Sequence, residues 1–214
     1  MGGVGEADAR NGRRRLGLFG GTFDPPHIGH LWLAETAREQ LQLEAVLFLP
    51  TGSPPHKQNC QVTAVSHRLA MLQQAIHENP HFCIDMTDIE RPLPHTTVTL
   101  LPQLKQLYAD ADLWWLIGSD SLRDLPTWND PEQIIQQCRL GVLPRPAVDI
   151  DWETLETAVP GIKTAVDWLD GPQLHISSTI IRRWAYNGHS LRYLVGTAVA
   201  DYIQTHQLYK PVNG

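Results

Sequence analysis

Short apolar runs alternate with segments of helical periodicity along most of this chain. In the helical segments, apolar residues recur at intervals of three and four, which is the spacing of an amphipathic helix. This pattern predicts helices from near residue 28 to 41 and over residues 62–77, 97–108, 131–138, 178–186 and 191–206. Apolar runs of strand length occupy residues 15–19, 45–50, 82–86, 113–118, 140–143 and 174–176.

The alternation of strands and helices predicts an α/β fold with a single doubly wound, mostly parallel sheet. Residues 45–50 are apolar throughout, as expected of a strand whose two faces are both covered by helices. Trp114 and Trp115, in the middle of another apolar run, are predicted to lie in the core. Right-handed crossovers then place a ligand at the carboxyl ends of the strands.

Some segments are less regular than the rest. Residues 88–91 are expected to extend the third strand as a sheet edge, and Pro102 to kink a helix or lie in its first turn. Asn187 and Gly188 are expected to cap the helix before them. Residues 147–171 follow neither period and are interpreted as a variable insertion with some helix.

The composition is that of one ordinary globular domain. The 214 residues are 42% hydrophobic and 19% charged, which suits a single α/β core rather than a disordered chain. We expect residues 1–14 to form a disordered tail ahead of one domain over residues 15–214. A net charge of −6 argues against a broad nucleic-acid surface but is compatible with a small phosphate pocket.

Cysteine usage and hydropathy favour a cytoplasmic protein without a membrane partner. Three cysteines, an odd number without paired spacing, predict neither a disulfide framework nor a zinc site. No apolar run reaches the roughly 18–20 residues of a membrane span, and the Gly-rich first residues lack the apolar region of a secretory signal. The pattern does not indicate an oligomeric state.

The first crossing from strand to helix carries the most informative stretch, GGTFDPPHIGH over residues 20–30. Gly20 and Gly21 allow a sharp turn and a close approach of a ligand to the backbone. The helix start supplies free N–H groups for an anion, and His27 and His30, three residues apart, share its first-turn face. We interpret the stretch as a phosphate site in which imidazolium groups donate hydrogen bonds, their pKa values raised by the phosphate charge.

Two simpler interpretations of these histidines are a metal pair and polar residues at a helix start. No third ligand from Cys, Asp or Glu stands at a clear metal spacing, so a metal site is disfavoured. Capping alone explains neither the paired glycines nor both histidines. The phosphate interpretation accounts for all of these residues.

A second informative stretch is ISSTIIR over residues 176–182. Its hydroxyl residues at a helix start are good caps and can also contact phosphate oxygens. Arg182 lies one helical turn beyond Ser178, and its guanidinium matches the geometry of a phosphate. Capping combined with a surface arginine is the alternative, which this stretch alone leaves open.

Together the two stretches resemble the HxGH and ISxTxIR motifs of the nucleotidylyltransferase superfamily. The fuller pattern GGTFDPxHxGH resembles that of bacterial nicotinate mononucleotide adenylyltransferases most closely, and the likeness spans residues 16–209, thinning over 147–171. It implies a Rossmann-like fold with C-terminal helices. It also implies transfer of AMP from ATP to nicotinate mononucleotide, which gives deamido-NAD and pyrophosphate in NAD biosynthesis.

The resemblance also implies roles for individual residues. The catalytic residues would be His27, His30 and Arg182. The ATP-binding residues would be Gly20, Gly21, Thr22, Phe23, His30, Gly118, Asp120, Ile176, Ser177, Ser178, Thr179 and Arg182. The residues that bind the second substrate would be His56, Lys57, Thr96, Trp128 and Arg145.

Several of these residues have a plainer alternative. Asp120 could form a turn, Trp128 could fill the core, and His56 with Lys57 could form a solvated loop tip. The chain departs from the family at His95, where tyrosine is usual, which puts side-chain contacts there in doubt. We expect backbone N–H groups around Thr96 and Trp128, aided by the helix that begins near Thr97, to hold the nicotinate carboxylate, rather than the side chain of Arg123.

The sequence shows no Ser-His-Asp or Cys-His arrangement, which favours direct in-line attack of the mononucleotide phosphate on the α-phosphate of ATP. The protein then aligns two anions and stabilises the developing charge through His27, His30 and Arg182. Mg²⁺ is expected to be bound through the ATP phosphates and water, because no dedicated carboxylate cage is visible.

The alternatives are a phosphopantetheine adenylyltransferase, a cytidylyltransferase and a non-catalytic nucleotide sensor. Trp128 and the stretches PPHK at 54–57 and PHTTVTL at 94–100 argue against the two sister enzymes. The presence of both histidines and Arg182 argues against the sensor.

Overall fold

The computed structural model describes residues 12–52 and 62–210. The described residues contain one sheet of six strands, all parallel, in the order β3-β2-β1-β4-β5-β6. Its order reverses between β1 and β4, which is where an open α/β sheet forms a crevice for ligands. The strands are β1 Arg14–Gly21, β2 Ala45–Pro50, β3 Phe82–Ile84, β4 Ala111–Gly118, β5 Arg139–Leu143 and β6 Val166–Trp168.

Helices cover both faces of this sheet, which confirms the predicted α/β, doubly wound fold. A short 3₁₀ turn at Leu125–Thr127 follows α5. The helices are α1 Ile28–Gln40, α2 Val65–Ile76, α3 Thr87–Glu90, α4 Thr97–Leu107, α5 Ser119–Arg123, α6 Pro131–Ile135, α7 Trp152–Ala158, α8 Ile162–Ala165, α9 Ser178–Tyr186 and α10 Thr197–Thr205.

The alternation of side chains along β4 divides the core into two layers. Trp115 packs with Leu101 and Leu104 of α4 on one face of the sheet. Trp114 packs with Leu33 and the alanines of α1 on the other face. Both tryptophans are buried, so the prediction that they belong to the core is confirmed.

A third apolar cluster joins the C-terminal helices to α2. Ile181 of α9 and Val199 and Ile203 of α10 pack against Met71 of α2. This packing brings α9 to the edge of the sheet where β1 ends. Residues 176–182 therefore approach the loop that follows β1, although more than 140 positions separate the two stretches in the sequence.

The sequence-based assignment of the sixth strand was wrong. Residues 174–176 pair with no strand, whereas β6 lies inside the stretch interpreted as an insertion and pairs with β5. Leu174 is exposed, so its apolar run is not a core strand. Asp167 disguises β6 in the sequence, because this polar residue accepts hydrogen bonds from Trp114 Nε1 at 2.8 Å and Arg139 Nε at 2.6 Å.

Three further boundaries differ from the prediction. The expected edge at 88–91 is mostly the short helix α3, because the Asp85 carboxylate accepts the N–H of Thr87 at 2.8 Å and turns the chain after β3. Pro102 lies in the second turn of α4 and not in its first. The helix predicted over 191–206 forms only over α10. The predicted cap is confirmed, since Asn187 ends α9 and Gly188 adopts a φ of 74°.

At the N-terminus, β1 begins at Arg14, one residue earlier than predicted. Arg13 is anchored to the neighbouring strand, with Nε 2.8 Å from Asp112 and Nη2 2.7 Å from the carbonyl of Ala111. Residues 1–11 lie outside the described part, and the division of the chain at residue 14 stays a prediction. In the described residues, no helix combines the length and apolar character needed to cross a membrane.

Gly20 lies where β1 meets the rigid ring of Trp115, and an added Cβ would stand 2.7 Å from Cζ2 of that ring. We expect Gly20→Ala to lower the free energy of unfolding by about 1–3 kcal/mol through overpacking. Urea denaturation measures this loss. Gly196→Ala is the control, because nothing lies within 4 Å of the Cβ it adds. Equal midpoints for the two variants would contradict the expected clash.

Candidate active site

A cavity of about 400 Å³ opens at the carboxyl ends of β1 and β4, at the reversal of the strand order. It runs from the loop after β1 to the loops before α4 and after α5. A cavity of this size is in the range of sites for small ligands. Of the residues predicted for the site, its lining contains Gly20, Gly21, Thr22, His30, Thr96, Gly118, Trp128 and Arg145.

The loop between β1 and α1 is anchored from beneath by Phe23. This residue adopts the left-handed region with a φ of 49° and is 1% exposed. Its ring packs edge-on against His30 at 5.1 Å and against Phe19 at 5.6 Å between centroids. An added Cβ at Gly21 would lie 3.0 Å from that ring. The side chain of Phe23 thus supports the loop, and a ligand would meet only its backbone.

Asp24 is a buried site residue that the sequence interpretation missed. Its Oδ1 accepts the hydroxyl of Tyr209 at 2.6 Å, and its Oδ2 accepts the N–H of Thr63 at 3.2 Å. Burial and the nearby Asp24 charge raise the pKa of Tyr209, which therefore stays a hydrogen-bond donor. The DP dipeptide of the motif was the available signal. The Asp24 carboxylate ties the loop between β1 and α1 to the C-terminal segment and to the segment just before α2.

His27 and His30 are held together at the start of α1, which begins at Ile28 as predicted. The N–H of His27 donates to Nδ1 of His30 at 3.1 Å, and the two rings stack with centroids 3.6 Å apart. Because Nδ1 of His30 accepts this bond, the neutral ring carries its proton on Nε2. His30 thus lines the cavity as a hydrogen-bond donor.

The His27 ring is buried behind His30, with an exposed fraction of 3%. Burial, followed by the charge of Arg145, lowers the pKa of His27 to about 3, and its buried Nδ1 has no hydrogen-bond partner among the residues that the structure describes. Raising that pKa to about 7 would require about 5 kcal/mol from a bound anion. The structure therefore favours neutral imidazoles over the expected imidazolium groups, and the phosphate contact of His27 stays a prediction.

Residues 176–182 dock onto the same loop. Ser178 Oγ donates to the carbonyl of Pro25 at 2.9 Å, and Arg182 Nη1 donates to the carbonyl of Asp24 at 2.7 Å. Ser177 caps α9 by accepting the N–H of Ile180 at 3.3 Å. The predicted cap is thus present, while Arg182 is half-buried against the loop and also contacts Thr179 Oγ1 at 3.3 Å.

Close packing fixes the distance between the two stretches. An added Cβ at Gly29 would lie 2.7 Å from Cγ2 of Ile176, so only glycine allows α1 and this segment to approach so closely. Residues 176–179 and Arg182 stand outside the lining of the cavity but next to the loop that forms it. Their predicted contacts with ATP remain predictions.

Arg145 places a positive charge in the cavity beside Gly118. Its Nε lies 3.2 Å from Asp120 Oδ1, and its backbone N–H donates to Ser119 Oγ at 2.9 Å. An added Cβ at Gly118 would lie 2.5 Å from the same Nε. Asp120 lies in the first turn of α5, which begins at Ser119, and forms an ion pair with this guanidinium, so it does more than form a turn.

The far end of the cavity is built by Trp128 and residues 95–97. Trp128 is half-buried and packs against the core while one side lines the cavity, and its contact with the second substrate stays a prediction. His95 also lines the cavity, and its buried Nδ1 lies 3.6 Å from Asp88 Oδ1 without a hydrogen bond. This end of the cavity therefore combines an aromatic side chain with polar groups.

Arg91, which the sequence interpretation missed, holds this end of the cavity in shape. Its Nε donates to Asp88 at 2.8 Å, its Nη1 to the carbonyl of Pro94 at 2.8 Å, and its Nη2 to that of Thr96 at 3.1 Å. Its Nη1 also donates to Thr99 Oγ1 at 2.7 Å. The spacing of Asp88 and Arg91, one helical turn apart, was the signal in the sequence.

Two predicted substrate residues, His56 and Lys57, lie outside the described residues. Within residues 12–52 and 62–210, no group of three His, Cys, Asp or Glu side chains could hold a metal ion.

Comparison with known proteins places the chain among nucleotide-transferring enzymes. The cytidylyltransferase-like family model matches residues 18–184. A probable nicotinate-nucleotide adenylyltransferase from Thermomicrobium roseum is 48% identical over 92% of this chain and 92% of that protein. One from Synechococcus sp. is 40% identical over 92% of this chain and 95% of that protein.

A solved structure gives the same result for the fold. The Plasmodium falciparum nicotinic acid mononucleotide adenylyltransferase complexed with NaAD superimposes with a TM-score of 0.76. The match covers 92% of this chain and 97% of that chain at 19% sequence identity. At this identity the likeness shows the fold alone.

The buried His27 should make stability depend on pH. Between its folded pKa of about 3 and its ordinary value of 6.5, the unfolded chain binds a proton that the folded protein excludes. Stability therefore falls as the pH falls, by up to about 1.4 kcal/mol per pH unit. From about pH 6.5 to about pH 4.5 we expect the wild type to lose about 2–3 kcal/mol more than His27→Gln.

Urea unfolding at a series of pH values measures this difference. His77→Gln, at an exposed position, gives the baseline for replacing an imidazole by an amide. Parallel pH profiles for the wild type and His27→Gln would show that the ring is not buried as described.

Proposed function

The chain belongs to the cytidylyltransferase-like family, and we propose that it transfers AMP from ATP to nicotinate mononucleotide, forming deamido-NAD and pyrophosphate in NAD biosynthesis. The relatives that are 48% and 40% identical are named for this activity, and the matches cover nearly their whole length. The structural observation that carries the proposal is one cavity lined by both His30 and Trp128. One cavity thus offers a hydrogen-bond donor suited to phosphate and a flat aromatic surface suited to a ring.

The geometry supports direct transfer without a protein nucleophile. The phosphate of the mononucleotide attacks the α-phosphorus of ATP, the new O–P bond forms, and pyrophosphate leaves. The contribution of the protein is to align the two anions and to stabilise charge on the transferring and leaving groups. We assign this task to Nε2 of His30 and the guanidinium of Arg145, which line the cavity, and to the guanidinium of Arg182, which lies beside the loop. His27 contributes by holding the His30 ring.

A divalent metal is generally used by this family, and we propose that here it is Mg²⁺ bound through the ATP phosphates. The described residues offer no cage of three His, Cys, Asp or Glu side chains, so water and phosphate oxygens would complete its coordination. When bound, the ion neutralises part of the triphosphate charge. We also propose a cytoplasmic location, which the free thiols of Cys83 and Cys138 support.

The carboxylate of the pyridine ring requires donors, and the structure changes which ones we assign. The N–H groups of Thr96 and Trp128 are already bonded, to the carbonyls of Pro94 at 3.1 Å and Leu125 at 2.9 Å. The first N–H groups of α4, at Thr97 and its successor, have no partner within the helix, and Thr97 lines the cavity. We therefore assign the carboxylate to the N-terminus of α4.

A coupled assay with ATP tests the proposed function. Nicotinate mononucleotide should give deamido-NAD and pyrophosphate, and phosphopantetheine should give no product. Turnover of phosphopantetheine in place of nicotinate mononucleotide, or of CTP in place of ATP with another phosphorylated acceptor, would assign the chain to a sister enzyme. Tight binding of ATP without turnover of any of these would identify a nucleotide sensor.

Loss of the His30 donor should slow the chemical step. We expect His30→Ala and His30→Asn to lower kcat by about 10²-fold or more, as the loss of one oxyanion donor does. Asn can still accept the N–H of His27 but lacks the Nε2 proton, so it separates donation from loop support. Steady-state kinetics with His77→Ala as a surface control measures the effect. A folded His30→Asn protein with normal kcat would remove His30 from the mechanism.

Stacking and carboxylate selection should respond to different residues. We expect Trp128→Ala to raise KM for nicotinate mononucleotide by about tenfold through lost ring contact. Arg123→Ala should leave the preference for the acid over nicotinamide mononucleotide almost unchanged, because Arg123 is exposed and bonds Asp124 at 2.8 Å. The ratio of kcat/KM values for the two substrates measures this preference. Its collapse in Arg123→Ala would show that a side-chain cation selects the carboxylate.

A further inference from the structure

Arg68 of α2 is a buried cation that the mechanism does not use. Its residue is 1% exposed, although arginine on a helix usually reaches solvent. It donates from Nη1 to the carbonyl of Thr22 at 2.8 Å, from Nη2 to that of Thr51 at 2.9 Å, and from Nε to that of Thr63 at 3.0 Å. One guanidinium thus joins the segments after β1, after β2 and before α2.

A buried charge is costly unless it is paired, and no carboxylate bonds this one in the described residues. Burial lowers the pKa of Arg68, and the negative charge of Asp24 opposes that shift. Main-chain carbonyls take the place of a counter-ion. These carbonyls stand where the strands end and the ladder no longer supplies donors, so they need partners from elsewhere.

The three carbonyls belong to segments that form or contact the loop between β1 and α1. Thr22 lines the cavity, and the N–H of Thr51 donates to the carbonyl of Gly21 at 2.9 Å. Thr63 accepts Arg68 through its carbonyl and donates its N–H to the Asp24 carboxylate at 3.2 Å. The guanidinium and this carboxylate therefore hold the same loop from two sides.

We propose that Arg68 is a positioning residue for the adenylyl transfer, holding the backbone at Thr22 so that the loop presents His30 to the phosphates. It touches neither the cavity nor a substrate, since the cavity lining does not include it. The inference rests on the proposed function. A misplacement of about 1 Å at reacting groups can cost about 10²-fold in rate, so a small shift of the loop has a large effect.

Arg68→Lys and Arg68→Met test this role. Lysine keeps the charge but cannot reach three carbonyls in a fixed fork, and methionine keeps much of the volume without charge. We expect Arg68→Lys to lower kcat by about tenfold or more. KM for nicotinate mononucleotide should change by less than about threefold, because other elements build the pyridine end. Circular dichroism at the assay temperature verifies that each variant is folded.

Arg91→Lys is the matched control, since Arg91 is also buried and also bonds two main-chain carbonyls, but at the pyridine end. We expect the opposite pattern from it, a raised KM for nicotinate mononucleotide with a smaller change in kcat. If both variants lower kcat and raise KM to the same extent, in proportion to their loss of thermal stability, Arg68 has only a structural role. Normal kcat in a folded Arg68→Lys protein also overturns the proposal.

Hydrogen exchange of the ligand-free protein provides a readout that needs no activity. In Arg68→Lys, amides of residues 20–30 should exchange faster than in the wild type, while those of residues 92–100 should not. Unchanged exchange over 20–30 contradicts the positioning role. A wild-type protein inactive toward nicotinate mononucleotide, with the exchange result intact, instead refutes the proposed function and leaves the anchoring by Arg68 standing.

Discussion

Main-chain groups at the end of a strand have no ladder partners, and the site depends on how this chain satisfies them. The carbonyls of Thr22, Asp24 and Pro25 accept hydrogen bonds from Arg68, Arg182 and Ser178 respectively. Arg68 comes from α2, whereas Ser178 and Arg182 both come from α9, so the loop is fixed only when these two helices are packed against the sheet. Phosphate donors placed on such a loop are preorganised before a ligand arrives, which lowers the reorganisation needed at the moment of reaction.

The charges of the site also depend on which groups are buried and which groups lie beside them. A net charge of −6 over the chain coexists with guanidinium groups placed around the cavity, at Arg145 and Arg182. The buried His27 imidazole stays neutral, since burial and the positive charge of Arg145 both oppose its protonation. A neutral His30 ring that donates from Nε2 suits this position, because its other nitrogen, Nδ1, already accepts the N–H of His27. In the proposed mechanism, Arg145 and Arg182 attract the anion and His30 orients it.

Local pattern predicted the parts of the fold that are themselves local. Apolar runs located β1, β2, β4 and β5, and the two motifs located the start of α1 and of α9. β6 was not predicted because it has only three residues and the middle one is Asp167, a polar residue that accepts hydrogen bonds from two side chains. The role of Arg68 was not predicted for another reason. Its hydrogen bonds go to main-chain carbonyls, which every residue type has, so the composition of the partner segments does not reveal them. Its place on the buried face of α2, in step with Met71 and Ile76, was the one signal available.

The two ends of the cavity stand on separate elements, and this separation has a consequence for specificity. The end proposed for phosphate is lined by residues of β1 and α1, with α2 and α9 supporting the loop between them, whereas the end proposed for the pyridine ring is formed by the segment held by Arg91 and by the loop carrying Trp128. His95, in place of the family's usual tyrosine, lies in the second set and contacts none of the phosphate donors in the described residues. A change of acceptor therefore needs no change in the loop that performs the transfer. This independence explains physically how one fold and one HxGH loop can serve acceptors as different as a pyridine nucleotide and phosphopantetheine.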